Sequence, residues 1–375
     1  MATAVTRRSV LAVIGVGLGA VLTGCDSAEE PTVSTATPGP GQPPDPAEPN
    51  DPAEPSDPTA TTGADAAVLL LALERTRTLS ARCRRIRGAT GRHQQAQEQV
   101  QLALDEQVRV LTEVLEAGHV ALPEPSDPGD AAAATSGGAP RSGAQEDAQA
   151  TADPEDSAGS TDPPADGDAA TATVPAAERA VADLRALGQD CLDDITPAAL
   201  TALSEVSADN LPMLLSIAGQ RGATASLFGQ QPQWQKLSGP TGDPAAALLD
   251  AYRPAVYGFE VLAARSRGDE RTAYEAVLTP LREVTRQITQ LAGDAAAPAP
   301  LGYGLPDGAA GQERRARLAS DLLAVLPPTI MAPTTGFAGD PAAVAGSVRL
   351  LADVVRLAQP WRAVTGFPGM QVAGA

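Results

Sequence analysis

Wherever this 375-residue chain carries large apolar residues, they recur every three or four positions, and no β-branched run alternates with period two. That spacing fits one face of a helix at 3.6 residues per turn and does not fit a pleated strand. Ala, Leu and Arg dominate the same segments and are good helix formers, whereas aromatic residues make up only 3% of the chain. The fold class that follows is all-α.

Two stretches interrupt the pattern. Residues 26–63 hold eight acids and no Lys or Arg, and residues 121–173 hold eleven acids and only Arg141. Both are rich in Pro, Ala, Gly, Ser and Thr and nearly free of large apolar side chains, so they cannot bury enough surface to offset the entropy of ordering. A disordered acidic stalk over 25–63 and a disordered acidic insert over 121–173 are therefore expected. The stalk duplicates Asp45-Pro46-Ala47-Glu48-Pro49 as Asp51-Pro52-Ala53-Glu54-Pro55. At about 3.1 Å per residue of polyproline geometry it reaches on the order of 120 Å. Of the formal net charge of −19, the two stretches contribute −8 and −10. The helical segments are thus close to neutral, and with no basic stripe interleaved with aromatics, no nucleic-acid partner is expected.

The periodic segments sort into two groups. In the first, Leu79, Cys83 and Ile86 share a face of a helix from about Asp65 to Arg87, and Leu104, Val108, Leu111 and Leu115 share a face of a second from about Gly91 to Ala117. Beyond the insert, Leu184, Leu187, Cys191 and Ile195 mark a third helix beginning near Pro175. Thr196 caps a further segment with Pro197 in its first turn, a favoured start, running through Leu200 and Leu203. A short helix is expected around Leu211 to Ala218. A lone helical hairpin cannot cover its own apolar stripe, so 64–120 and 174–235 should pack as one bundle.

The second group, 241–371, follows Trp234 and the turn-rich run Ser238-Gly239-Pro240-Thr241-Gly242. Leu249, Tyr252, Val256 and Phe259 line its first helix, and Val277, Leu281, Val284, Ile288 and Leu291 its second. Leu318, Leu322 and Val325 line a third from about Ala309. Val344, Val348, Leu351 and Val355 line a fourth, capped by Asp340 before Pro341 and running to Trp361. Four helices in about 130 residues is the size of a four-helix bundle. Pro254, Pro280, Pro327, Pro328 and Pro360 fall in these segments, and each predicts a kink or a break.

The amino terminus resembles a bacterial lipoprotein signal. Arg7 and Arg8 precede an apolar run of thirteen residues, Val10 to Leu22, that closes on Leu22-Thr23-Gly24-Cys25. A run of that length falls short of the roughly 18 to 20 residues a permanent span needs, which favours a cleaved signal over 1–24. Thr6-Arg7-Arg8-Ser9-Val10-Leu11 also looks like a twin-arginine export signal with Val10 where Phe is usual. Lipidation of Cys25 gives a diacylglyceryl anchor, each buried methylene contributing about 0.8 kcal/mol of membrane affinity.

In the second group, Ala251-Tyr252-Arg253-Pro254-Ala255-Val256-Tyr257-Gly258-Phe259, the loop Tyr303-Gly304-Leu305-Pro306 and the ending Trp361-Arg362-Ala363-Val364-Thr365-Gly366-Phe367-Pro368-Gly369 resemble a ferritin-like domain of unknown function from high-GC Gram-positive bacteria. The resemblance covers about 241–371. It implies a ferritin-like four-helix bundle on an exported or membrane-attached protein, and no known reaction. Similar members often carry a Glu-His pair early in the first helix, where this chain has Tyr252 and Arg253.

The residues themselves also point away from metal. A di-iron bundle needs a Glu from each of two helices and a Glu-x-x-His from each of two others, and the chain has two histidines. Glu116-Ala117-Gly118-His119 matches the spacing once, at a helix end that Gly118 should fray. His93 reads as a polar surface residue, and no Ser or Cys is positioned with a base as a nucleophile. Glu260, Glu275, Glu283 and Asp353 could converge, but Arg265, Arg282, Arg286 and Arg356 at helical spacings make ion pairs the expected outcome. No catalytic, cofactor-binding or metal residue is assigned.

With Cys25 lipidated, Cys83 and Cys191 remain, both on apolar helix faces. An even residual count in an oxidising compartment favours a bond between them, and two buried reduced thiols are the alternative. The bond would close a loop of more than a hundred residues, for a stabilisation on the order of 4 to 5 kcal/mol. The expectation is an extracytoplasmic lipoprotein, held to the cell membrane by its lipid anchor, whose non-catalytic helical modules bind or scaffold an envelope protein. The alternative is a ferritin-like protein that handles a metal or small ligand.

Overall fold

The computed structural model describes residues 63–123, 175–304 and 311–372. The signal with Arg7, Arg8, Leu22, Thr23, Gly24 and Cys25, nearly all of the stalk, and the insert from 124 onward lie outside them. All regular structure among the described residues is helical: α1 Gly63–Arg85, α2 Gly91–Ala117, α3 Ala176–Asp193, α4 Pro197–Leu203, α5 Leu211–Leu227, α6 Asp243–Ala264, α7 Gly268–Ala292, α8 Gln312–Ala324, α9 Leu326–Met331 and α10 Pro341–Ala358, with 3-10 turns at Gly293–Ala295 and Thr334–Phe337. No described helix is long and apolar enough to cross a membrane.

The expected caps are formed. Thr196 accepts the Ala199 N–H with Pro197 in the first turn of α4, and Asp340 accepts the N–H groups of Ala342 and Ala343 at 3.0 and 2.9 Å. Pro254 and Pro280 are accommodated inside α6 and α7. The third helix of the second group breaks where the prolines are. Val325 ends α8 and starts α9, so Pro327 and Pro328 fall in a first turn, where a missing N–H costs nothing. Pro360 lies just past α10, which ends at Ala358 rather than Trp361.

The main departure from expectation is α5. The sequence suggests a short helix ending near Ala218, but α5 runs to Leu227, and fourteen of its seventeen residues are buried. One side packs with α1, α2 and α3, where Leu184, Leu187, Cys191 and Ala225 share an apolar cluster with Leu79, Cys83, Val100 and Leu104. The other side packs on α10. A Cβ at Gly219 would stand 2.6 Å from Leu351 Cδ2, and one at Gly222 would stand 2.8 Å from Ala352 Cβ, so only glycine admits α10 this closely.

Through this pair the two groups share a core: Ile195, Leu200, Leu215 and Ala218 join the cluster of Phe259, Leu281, Leu323 and Leu351. The segment linking them is itself packed, with Leu237, Gly239 and Pro240 buried.

Candidate functional site

Three features outside ordinary apolar packing were candidates for function: a buried polar network, an isolated pair of thiols, and a cavity beside Trp234.

The network surrounds Arg221 at mid-α5, 2% exposed. Its Nη2 donates to Thr76 Oγ1 at 2.8 Å, its Nη1 donates to Gln220 Oε1 at 3.3 Å, and its Nε lies 3.4 Å from Asp194 Oδ2. Asp194 also accepts from Arg75 Nε at 2.7 Å. Gln107, fully buried on α2, donates to Gly366 O at 2.6 Å and to Gln220 Oε1. Burial raises the Asp194 carboxyl and lowers the Arg221 guanidinium from their ordinary values, each opposed by the other's charge. Every member of the network is tied to another part of the protein, so it joins helices rather than presenting a reactive group.

Cys83 and Cys191 are buried free thiols in one apolar cluster, and the expected bond is not formed in the structure. Cys83 Sγ donates weakly to Gln97 O at 3.8 Å. Desolvation pushes Cys83 up to about 11 and Cys191 up to about 12, the latter even though Arg221 pulls it down. Neither thiol is an activated nucleophile.

The other sequence candidates are engaged elsewhere. Glu116 and His119 are exposed, with His119 past the helix end at φ 54. Glu260 pairs with Arg282, Glu275 with Arg271 and Glu283 with Arg286, each at 2.6 Å. Asp353 lies between Arg356 at 3.8 Å and Arg349 at 4.0 Å, its carboxyl raised by burial. Among the described residues no three His, Cys, Asp or Glu side chains cluster as a metal site. Tyr252 is buried in the second core, where burial drives its phenol well above the usual range, and Arg253 donates to Ala297 O at 2.7 Å.

The cavity, about 290 Å³, opens between the α3–α4 turn, the loop through Trp234 and the first turns of α10. In the sequence that loop marks only the boundary between the two groups. Two devices fix it on α10. Gly239 O would lie 1.9 Å from a Cβ at position 346, so the backbones meet at a glycine pair, and Arg349 Nη1 holds Gln235 O at 2.9 Å. Buried Leu237 anchors the loop from within. The Trp234 indole lies against Gly222 of α5, a Cβ there standing 3.1 Å from Cη2 and Cζ2. Ile195, Leu200 and Ala345 supply apolar wall, and Lys236 and Arg349 supply charge. A second cavity, about 370 Å³, lies between Pro327, Val355 and Met370. Its charges are used internally: Glu106 accepts the Gly366 N–H at 2.8 Å, and Arg362 reaches Ser320 Oγ at 3.5 Å.

Comparison of the chain with family models, curated proteins and solved structures gives no match.

Proposed function

We propose that this chain is a lipid-anchored extracytoplasmic protein of the cell envelope whose helical unit binds a partner or ligand there and catalyses no reaction. The address rests on Arg7, Arg8 and the Leu22-Thr23-Gly24-Cys25 run. The acidic stalk supplies the distance between a lipid surface and the helices.

The binding role rests on one observation, the cavity walled by Trp234 and held open by a loop pinned to α10 at the Gly239 and Gly346 contact. A concave apolar pocket with a few convergent polar groups is the usual form of a ligand site. The ferritin-like reading of 241–371 is supported by α6, α7, α8 and α10 sharing one apolar core. The metal-handling alternative is weakened by the carboxylates it would draw on, since Glu260, Glu275, Glu283 and Asp353 each face an arginine.

Metabolic labelling with a clickable fatty acid tests the address. Label is expected on the Cys25 peptide and absent from Cys25→Ala, and an unmodified wild-type peptide overturns the anchor. Elemental analysis of protein purified without chelators tests the rest, where stoichiometric iron, manganese or zinc would reverse the choice between binding and metal handling.

A further inference from the structure

From the charges around the Trp234 cavity we infer its ligand class: a small organic monoanion, a carboxylate on a flat apolar body, with the body against Trp234 and the anion between Lys236 and Arg349. The inference rests on the binding reading above and adds the chemistry of what is bound.

Charge carries the first step. Lys236 is the only lysine in the chain, and it lies on the rim of this cavity with Arg349 on the opposite, α10 side. Among the described residues no carboxylate lines the cavity. The acids next to its lining residues in sequence, and those that act on Arg349, are already engaged. Asp340, beside the lining residue Pro341, accepts the N–H groups of Ala342 and Ala343. Asp194, beside Ile195, is held by Arg75 and Arg221. Asp353 is shared by Arg349 and Arg356, and Glu283, whose charge also acts on Arg349, is forked by Arg286. Arg349 Nε is buried and makes no hydrogen bond, with Asp353 Oδ2 at 4.0 Å. Arg349 lines the cavity as a charge without a close carboxylate partner, and an anion bound there gains from that charge.

Shape carries the second step. About 290 Å³ is on the order of ten liquid-water volumes, room for a one- or two-ring acid. Ile195, Leu200, Ala345 and Trp234 give the cavity its apolar wall, and Thr201, Gln233, Gln235 and Ser238 line the rest with neutral polar groups. A flat ring on an indole face is the contact such walls favour.

The single lysine makes the test direct. The full chain, in nanodiscs of zwitterionic lipid and labelled with lysine carrying ¹³C at Cε, gives one side-chain signal, which reports on the rim alone. Titration with 1-naphthylacetate should shift this signal, and calorimetry should show binding about tenfold tighter than for the neutral 1-naphthylacetamide. Thr201→Trp, at an exposed position on the cavity wall, should remove binding of both. Lys236→Met should bring the acid and the amide to within about threefold of each other.

Equal binding of acid and amide to the wild-type chain, lost in Thr201→Trp, overturns the anionic class and leaves the cavity as a binding site. An unmoved lysine signal with no heat for either probe overturns the site itself. The fatty-acid labelling of Cys25 decides the anchor independently of both results.

Discussion

The two cores joined at α5 and α10 are filled with different chemistry. Between α1, α2, α3 and α5 the protein buries a guanidinium, two primary amides and two threonines, threaded among leucines and two thiols. Between α6, α7 and the segment after α10 it packs rings: buried Phe259 meets half-buried Trp361 and buried Tyr274 edge-on with centroids 6.0 and 6.1 Å apart, and Tyr274 stacks on Trp361 at 5.7 Å. The first core gains directional contacts that fix helix register and are costly to leave half-made, whereas the second gains area and volume with little demand on direction. Damage to the first should therefore be repairable by removing a partner, and damage to the second only by restoring bulk.

The largest effects should expose that difference. Phe259→Ala is expected to cost about 3–5 kcal/mol in denaturant unfolding, because Phe259 is fully buried and its ring neighbours cannot close the gap. Asp194→Ala is expected to cost a similar amount, about 3–5 kcal/mol, by leaving Arg221 buried beside Arg75 without its carboxylate. Adding Arg221→Met to Asp194→Ala should recover at least about half of that loss, since an apolar side chain of similar length needs no partner. Double-mutant cycles read this directly. An additive double variant would mean that the Arg221 network stores no coupling and that the two cores respond alike.

How the sequence signals each region differs for the same reason. The ends of α2, the Thr196 and Asp340 caps and the apolar faces of α3 and α7 follow from spacing and cap chemistry and are found where spacing puts them. Gln107 takes a buried position on α2 while Val108, expected inward, is half-buried; a polar residue one step off an apolar stripe looks like surface until a partner such as Gly366 is brought to it. Gly219-Gln220-Arg221-Gly222 follows the expected helix end at Ala218 and continues α5 for the same reason. Its glycines are helical because α10 needs the space, and its polar side chains are buried because α1, α2 and α3 supply partners. The cavity is the least legible feature, since it joins a loop to helices remote in sequence. Its only local cues are a lone Trp234 and a lone Lys236 in a run of glutamines.

The contact that joins the cores should be next in sensitivity. Gly219→Ala is expected to destabilise by about 1–3 kcal/mol, because the added methyl enters the Leu351 side chain on α10. Pairing it with Leu351→Ala should give less than the summed cost of the two changes, because the truncation makes room for the methyl. If Gly219→Ala is silent in thermal unfolding, α10 approaches α5 less closely than the glycine spacing implies.

Thiol titration offers a smaller and pH-dependent contrast. Burial holds the folded thiols of Cys83 and Cys191 protonated up to about 11 and about 12, whereas unfolded thiols ionise near their ordinary value of about 8.5 to 9. The folded state thus binds more protons above pH 9, and stability must fall as pH rises through the window from about 9 to 11. The slope approaches about 1.4 kcal/mol per pH unit for each thiol. Under reducing conditions wild type should show this loss, and Cys83→Ala with Cys191→Ala should show a clearly smaller one that begins nearer pH 10, where the buried phenols of Tyr252 and Tyr274 add their own share. Material purified without reductant discriminates the redox state: the wild-type slope means free thiols, and the slope of the double variant with the mass of a bridged protein means that the bond favoured by the cysteine count forms.

Tyr252 should give the smallest change and the sharpest statement about the second core. Its ring belongs to the apolar cluster, yet its hydroxyl is buried and meets no hydrogen-bond partner among the described residues. In the first core the buried polar residues each make at least one hydrogen bond, as Gln220 does to Thr224 at 2.9 Å, even where a single atom such as Gln107 Oε1 is left over. Removing an unpartnered hydroxyl while keeping the ring deletes a desolvation cost and no contact, so Tyr252→Phe should be neutral or stabilising by up to about 1 kcal/mol. The measurement is the unfolding midpoint at constant slope. A loss of more than about 1 kcal/mol would show that the hydroxyl is hydrogen-bonded in solution. The second core would then hold a polar network of its own, and the contrast between the two would be one of degree.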